Sequence, residues 1–221
     1  MSARLPAGPL ALLLAATVFG GCHGRYKRNA DSLGAVQVRV VTPVQPGVDV
    51  GGGEVSAGEG TAVQDAVELG VDIAVVVLAS RVEQKLQKAV KPELTEGALA
   101  GALAEDLEKA DLPYAVKDKA KARMEVEVVD FGLSAVNGAP SVYVVTRTRI
   151  WDRDGRKVYS SGETCELPVG EALNLPFTDA DELAALKRLE DLSPAQMRRL
   201  VQKTAGLCAA RVARSLEKDA R

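Results

Sequence analysis

Three neighbouring stretches of the chain decide the fold: RMEVEVV at residues 123–129, SVYVVTRTRIW at 141–151 and KVYSSGETC at 157–165. In the first stretch the apolar residues Met124, Val126 and Val128 alternate with charged ones, which is the period-two pattern of a strand with one buried face. Turn-forming residues, Asn137-Gly138 and Asp152-Arg153-Asp154-Gly155, separate the stretches. The pattern predicts an antiparallel meander with one buried and one polar face.

The same alternation predicts which side chains of the meander lie in the core. Because successive residues of a strand point to opposite faces, the apolar set of each stretch shares one face. The side chains expected in the core include Val126, Val128, Val142 and Val144. Those expected nearer water are Glu125, Glu127 and Arg147.

Helical patterns flank these strands on both sides. Apolar residues recur at three- and four-residue steps over 94–107, and again over 197–216 after Ser193-Pro194, which is a typical helix start. Another helix is predicted to begin at Thr178–Asp181, which resembles a capping box. Residues 62–91 are compatible with one helix, or with a segment that includes a buried strand over 71–78.

Together these patterns predict an α+β fold: an antiparallel β-meander of about four strands, packed on helices from both its N- and C-terminal sides. Tyr114–Val116 is expected to supply a further short strand, as is Val36–Val41. A glycine-rich loop is expected at about residues 47–60, where the glycine spacing matches no phosphate-binding motif. Residues 35–221 are expected to form a single domain.

The chain beyond its N-terminal segment lacks the side chain that most hydrolytic and metal sites use. Its one histidine is His23. Ser–His–Asp and Cys–His sites need an imidazole, and zinc needs four ligands or three and a water. We therefore predict no catalytic residues, no metal site and no cofactor. The 30 acidic residues leave a carboxylate-based hydrolase as the least favoured alternative, and a net charge of −2 argues against nucleic acid as a partner.

The first residues have the composition of a secretory signal peptide. A charged start containing Arg4 precedes the unbroken apolar run Leu10–Phe19, and small residues follow. Ten apolar residues are too few to span a bilayer, which needs about 20. Residues 1–21 are therefore predicted to be a signal peptide that is removed.

The end of this segment, Phe19-Gly20-Gly21-Cys22, resembles the lipobox of bacterial lipoproteins. The resemblance implies that Cys22 receives a diacylglyceryl group, that the chain is cut before it, and that the new amino terminus is acylated by a fatty acid such as palmitate. In that family an Asp after the cysteine often signals retention in the inner membrane. His23 stands there instead, which implies the outer membrane, facing the periplasm.

Residues 22–34 are predicted to be a lipidated flexible tether between the anchor and the domain, because Gly, Asn, Asp and Ser are frequent there. Arg25, Lys27 and Arg28 in this segment have two compatible interpretations. They solvate the tether, and they provide a weak attraction to anionic lipid headgroups.

Two cysteines remain once Cys22 is lipidated. Cys165 ends the third strand of the meander, and Cys208 lies on the apolar stripe of the last helix. In an oxidising compartment such a pair predicts a disulfide, and the alternative is two small buried thiols.

These observations favour a lipid-anchored, non-enzymatic envelope protein that acts as an interaction or assembly module, with an envelope protein partner that the sequence does not identify. The order of helices and strands loosely resembles small lipoproteins that assist envelope assembly or ABC-type transport. That resemblance implies the alternative of an auxiliary subunit that binds a lipid or another hydrophobic ligand between sheet and helices. An exposed apolar groove would favour this alternative.

Overall fold

The computed structural model describes residues 16–50, 53–54, 73–174 and 181–221. The helices in these ranges are α1 (Ala16–Leu33), α2 (Ile73–Ala89), α3 (Pro92–Lys109), α4 (Val169–Leu173), α5 (Glu182–Asp191) and α6 (Pro194–Ala220). The strands are β1 (Ala35–Val41), β2 (Gly47–Val50), β3 (Gly53–Glu54), β4 (Ala115–Val116), β5 (Ala122–Ser134), β6 (Ser141–Trp151) and β7 (Lys157–Pro168). A single 3₁₀ turn, Val136–Gly138, connects β5 to β6.

The three predicted long strands are present and antiparallel. β5 pairs with β6 from Arg123↔Trp151 to Ser134↔Ser141, and β6 pairs with β7 from Ser141↔Pro168 onward. The predicted burial is confirmed, because the four core valines are fully buried. On the other face Arg149 lies 3.0 Å from Glu127 and 3.4 Å from Glu125, so the charged residues pair across strands near the surface.

The sheet as a whole is mixed, so the prediction of an antiparallel meander is wrong for its other half. β1 runs parallel to the first half of β5, and β2 runs parallel to its last residues. The two-residue strand β4 pairs with the outer side of β1, and β3 pairs with β2. A parallel pair is possible here because β1 and β5 lie far apart in sequence, and the described part of the connection between them includes the helices α2 and α3.

Two local features let β5 accept both parallel partners. A β-bulge between Val128 and Asp130 shifts the alternation, so that the large apolar side chains of Phe131 and Leu133 enter the core in the second half. Gly132 then lies against Gly47, where a Cβ on Gly132 would come within 2.0 Å of the Gly47 carbonyl oxygen. Only glycine permits β2 to approach β5 this closely.

The helices cover the sheet as the flanking patterns predicted. Residues from 73 onward form a helix, so the described part of the ambiguous 62–91 segment contains no buried strand. Asp181 and Ser193 cap α5 and α6, and Ser193 forms a full capping box with Gln196. The long helix α6 packs along α3 and on β6 and β7, with its apolar stripe buried. In the glycine-rich segment, residues 47–50 and 53–54 form a hairpin, and the remaining residues lie outside the described ranges.

The predicted flexible tether is a helix. Residues 22–33 belong to α1, and Tyr26, Ala30 and Leu33 on it are at most 1% exposed. These residues follow the i, i+4, i+7 spacing of a buried helical stripe, and the polar residues that suggested a tether occupy the outer face. Gly34, with a φ of +68°, ends the helix in the left-handed conformation that glycine adopts at low cost.

Residues 1–15 of the predicted signal peptide lie outside the described ranges. Among the helices that are described, none is both long enough and apolar enough to cross a membrane.

Candidate functional site at the attachment of the N-terminal helix

Cys22, the predicted acylation site, lies within α1, four residues before Tyr26. Four residues are about one helical turn, or roughly 6 Å along the helix axis. Tyr26 has no exposed surface. The candidate anchor therefore lies within one turn of the hydrophobic core, with no flexible residues between them.

A cluster of three tyrosines and one carboxylate holds this turn of α1 to the sheet and to α6. The Tyr26 hydroxyl lies 2.8 Å from that of Tyr114, and the Tyr26 ring packs on that of Tyr159 with 4.5 Å between centroids. The Tyr159 hydroxyl donates to Asp219 over 2.9 Å. The cluster thus connects α1, the start of β7 and the end of α6 with polar atoms that are paired inside the core.

Burial shifts the titration of all three tyrosines in the same direction. It raises the pKa of Tyr114 to about 12, although the hydrogen bond from Tyr26 acts to lower that pKa. Burial, and secondarily the neighbouring Tyr114, raises the pKa of Tyr26 far above its ordinary range, and burial also raises that of Tyr159. The three tyrosines therefore stay neutral at any physiological pH, and the cluster acts as a structural clamp.

The turn between β6 and β7 fastens α1 at a second point. Arg153 donates from Nε and Nη2 to the Leu33 carbonyl oxygen, over 3.4 and 3.3 Å. Leu33 is the last residue of α1, where carbonyl groups have no partner inside the helix, so a cation is favourable at this position. Arg25 lies about two turns before Leu33 on the same helix and donates to the Lys157 carbonyl oxygen over 3.5 Å. The helix therefore lies across the end of the sheet where β7 begins.

The structure joins the other two cysteines. Cys165 on β7 and Cys208 on α6 form a disulfide with their Cα atoms 5.4 Å apart, and neither residue is exposed. The bridge holds the longest helix to the strand that also carries Tyr159. It lies in the interior, away from Cys22 in sequence, and its position is that of a structural link.

An apolar groove of about 410 Å³ runs between β1 and α3. β4 covers only the first residues of β1, so the rest of this strand has an open edge there. The groove is lined by Gln37, Val38, Val40, Ala100, Ala104, Leu107, Val116, Lys117 and Asp118. Its size is within the range of small-molecule sites, and most of its lining is apolar with polar groups from the β4 end.

A smaller pocket of about 270 Å³ is lined in part by three acidic residues, Asp49, Asp130 and Glu166, and is therefore the place to look for a carboxylate-based hydrolase. Asp130 accepts a hydrogen bond from Tyr143 over 3.4 Å, and Glu166 accepts one from Ser141 over 2.5 Å. Within the described ranges, no group of three or more His, Cys, Asp or Glu is arranged to hold a metal ion. Nothing in this pocket assigns a reaction.

No family model matches the sequence, and no curated protein sequence matches it either. Among solved structures, the chain is similar to a DUF330 protein from Xanthomonas campestris (10% identity, TM-score 0.44, 85% of each chain covered). It is also similar to the hypothetical protein CT253 from Chlamydia trachomatis (12% identity, TM-score 0.31, 81% of this chain and 95% of that one). A third similar structure is the lipoprotein GNA1162 from Neisseria meningitidis (17% identity, TM-score 0.24, 70% and 93% covered). These likenesses are distant, and the proposal below rests on the residues of this chain.

Sequence reasoning identified Cys22 and the cysteine pair but missed the tyrosine cluster. The signal that could have found it is the spacing of Tyr26, Ala30 and Leu33, which is that of one buried helical stripe. Tyr114 and Tyr159 are distant in sequence, so only the fold brings them to Tyr26.

Proposed function

We propose that this protein is a lipid-anchored, non-enzymatic lipoprotein of the bacterial cell envelope that acts as an interaction or assembly module. Cys22 would carry the acyl chains at the outer membrane, and the domain would face the periplasm. Its partner would be an envelope protein, with nucleic acid playing no part.

The observation that supports this proposal best is the position of Cys22 within α1, one turn before the buried Tyr26. An acylated Cys22 would hold the domain directly at the bilayer surface, because a helix rather than a flexible linker connects the two. Two or more acyl chains make a stable anchor, whereas one chain binds marginally. A module held in this way would present the same surfaces to every envelope partner at a fixed height.

Metabolic labelling with a radioactive fatty acid tests the anchor. The wild-type chain should incorporate label and fractionate with membranes, and Cys22→Ala should do neither. Arg81→Ala, at an exposed position on α2, is the control and should behave like the wild type. Label and membrane association that survive in Cys22→Ala would overturn the proposal.

The membrane assignment has its own test. The wild-type chain should sediment with outer-membrane fractions in a density gradient, because His23 replaces the acidic residue that signals retention. His23→Asp should move the protein to inner-membrane fractions while fatty-acid labelling continues. A wild-type chain found in the inner-membrane fractions would contradict this assignment.

The groove between β1 and α3 supports a second candidate function, an auxiliary subunit that binds a lipid or another hydrophobic ligand. A fluorescent fatty acid should then bind saturably. Ala104→Trp should weaken its binding by at least about tenfold by filling the groove, whereas Glu105→Trp, on the exposed side of the same helix, should leave binding unchanged. Equal binding by wild type and Ala104→Trp would remove this candidate.

A further inference from the structure

Four segments that are distant in sequence meet at the end of the sheet where α1 is attached. They are residues 24–34, 111–123, 152–157 and 214–221. Arg25 and Leu33 of the first contact the third, and Tyr26 contacts Tyr114 of the second. Asp219 and Arg221 of the last contact Tyr159 and Asp111. We call these four segments the basic end, for the reason that follows.

The basic end is strongly cationic in a chain that is slightly anionic overall. It contains thirteen Lys and Arg against seven Asp and Glu, whereas the whole chain has a net charge of −2. The thirteen bases are Arg25, Lys27, Arg28, Lys117, Lys119, Lys121, Arg123, Arg153, Arg156, Lys157, Arg214, Lys218 and Arg221. All thirteen are exposed. The rest of the chain therefore carries a surplus of acids, and the charge of the protein is polarised toward this end.

Several acids of the basic end are engaged within the protein. Asp152 accepts hydrogen bonds from the backbone N–H groups of Asp154 and Arg156, each over 2.9 Å, which holds the β6–β7 turn. Asp219 accepts from Tyr159, and Glu217 pairs with Arg221. Asp111 also pairs with Arg221, and Asp154 lies 3.9 Å from Arg156. Asp31 and Asp118 are exposed, so they reduce the positive charge of the surface without removing it.

We propose that the basic end is a membrane-facing surface that binds anionic lipid headgroups and fixes the orientation of the domain on the bilayer. The inference rests on the proposed function, because the anchor decides which end meets the membrane. Cys22 lies three residues before Arg25, which itself contacts Lys157 at the start of β7, so the acyl chains would enter the bilayer beside these bases. The exposed bases complement the negative surface of an anionic leaflet.

A rigid connection between Cys22 and the domain would fix the orientation of the domain on the bilayer, which a flexible tether would not do. With acyl chains at one point and bases from three further segments around it, the domain would touch the bilayer over an area and could not swing freely. The anionic remainder, with the helices α2 and α5, would then face away from the headgroups toward the periplasm.

The test uses the full chain in a Cys22→Ala background, which can carry no acyl chain, and measures co-sedimentation with vesicles. The vesicles contain phosphatidylethanolamine with or without phosphatidylglycerol. Any contribution of the apolar run at residues 10–19 is common to all variants, so differences between them report on the bases. Binding should be stronger to the anionic vesicles and should weaken as NaCl is raised, since salt screens exposed charges.

One base from each segment is replaced in the test variant: Lys27→Gln, Lys119→Gln, Lys157→Gln and Lys218→Gln. Its partition coefficient on anionic vesicles should fall on the order of 1,000-fold. A control variant replaces four exposed bases elsewhere: Arg81→Gln, Lys88→Gln, Lys187→Gln and Arg199→Gln. It should lose less than about threefold.

Equal losses in the two variants, or no preference for anionic vesicles, would overturn the inference. The outcome is independent of acylation. An acylated Cys22 with no headgroup binding leaves the proposed function intact and removes the membrane-facing surface. Headgroup binding without acylation of Cys22 would support the membrane-facing surface and overturn the lipid anchor of the proposed function.

Discussion

The hydroxyl of Tyr26 lies 2.8 Å from the hydroxyl of Tyr114, and both side chains are buried. This contact joins the helix that carries Cys22 to the residue that precedes β4, 88 positions later in the chain. Because only one helical turn separates Cys22 from this contact, the anchor and the domain are rigidly connected.

The first prediction concerns this attachment. Tyr26→Phe should lower the free energy of unfolding by about 1–2 kcal/mol, because it removes a buried hydrogen bond and leaves the Tyr114 hydroxyl unpaired. Tyr26→Ala should cost about 3–5 kcal/mol by leaving a cavity. Lys27→Ala, exposed on the same helix, should change stability by less than about 0.5 kcal/mol. Urea unfolding measures all three, and a wild-type midpoint for Tyr26→Ala would contradict the packing of α1.

The second prediction concerns alkaline pH. An unfolded chain releases its tyrosine protons near pH 10, whereas the folded chain keeps that of Tyr114 until about pH 12. Unfolding then releases protons, so stability should be unaffected by this group below about pH 10 and should fall as the pH rises from there toward 12. Urea unfolding at several pH values should show a shallower alkaline loss for Tyr114→Phe than for the wild type. Identical slopes would contradict the burial of this hydroxyl.

A third prediction concerns the cysteine pair. Protein made in an oxidising compartment should show no free thiol from Cys165 or Cys208 after denaturation, as measured with a thiol reagent. The double replacement Cys165→Ala/Cys208→Ala should lose about 4 kcal/mol, the chain-entropy value for a loop of this length. Two reactive thiols per chain, in addition to any from Cys22, would show that the bridge does not form.

The fourth prediction concerns the register of β5. Val128 is fully buried, whereas Glu127 on the opposite face keeps about a quarter of its side chain exposed and pairs with Arg149. Val128→Asp would bury a carboxylate without a partner and should lower stability by several kcal/mol or prevent folding. Glu127→Val should cost about 1 kcal/mol or less, since partly exposed ion pairs contribute little. If urea unfolding shows that Glu127→Val is less stable than Val128→Asp, the register of β5 is the opposite of the one described.

The alternation of residues 123–165 predicted the three antiparallel strands well because each strand has one buried face, and its own sequence records that face. β1 and β2 carry no comparable signal about their partners. A short β-branched strand such as Val36–Val41 indicates extended structure but does not specify β5 as its partner, and the pairing of β2 with β5 depends on the bulge and on the contact between Gly132 and Gly47. The mixed topology could not be predicted for that reason.

The candidate site, like the fold, could be predicted only in part from the sequence. The Cys165–Cys208 bridge was predicted from the cysteine count and is present in the structure, whereas the acylation of Cys22 was implied by the lipobox resemblance and stays a prediction. The attachment of α1 was not predicted, because its polar outer face resembles a tether, and the three buried residues that contradict that interpretation are separated by exposed ones. The basic end is assembled from four segments, each of which has an ordinary composition, so its charge becomes visible only in the fold.

The most direct test of the central claim is the intact mass of the protein extracted from bacterial membranes, followed by fragmentation of its first peptide. We predict a chain that begins at Cys22, lacks residues 1–21, and carries a diacylglyceryl group and an amide-linked fatty acid on that cysteine. An unmodified Cys22, whether in the uncut chain or after cleavage at another residue, would contradict the anchor and with it the proposed function.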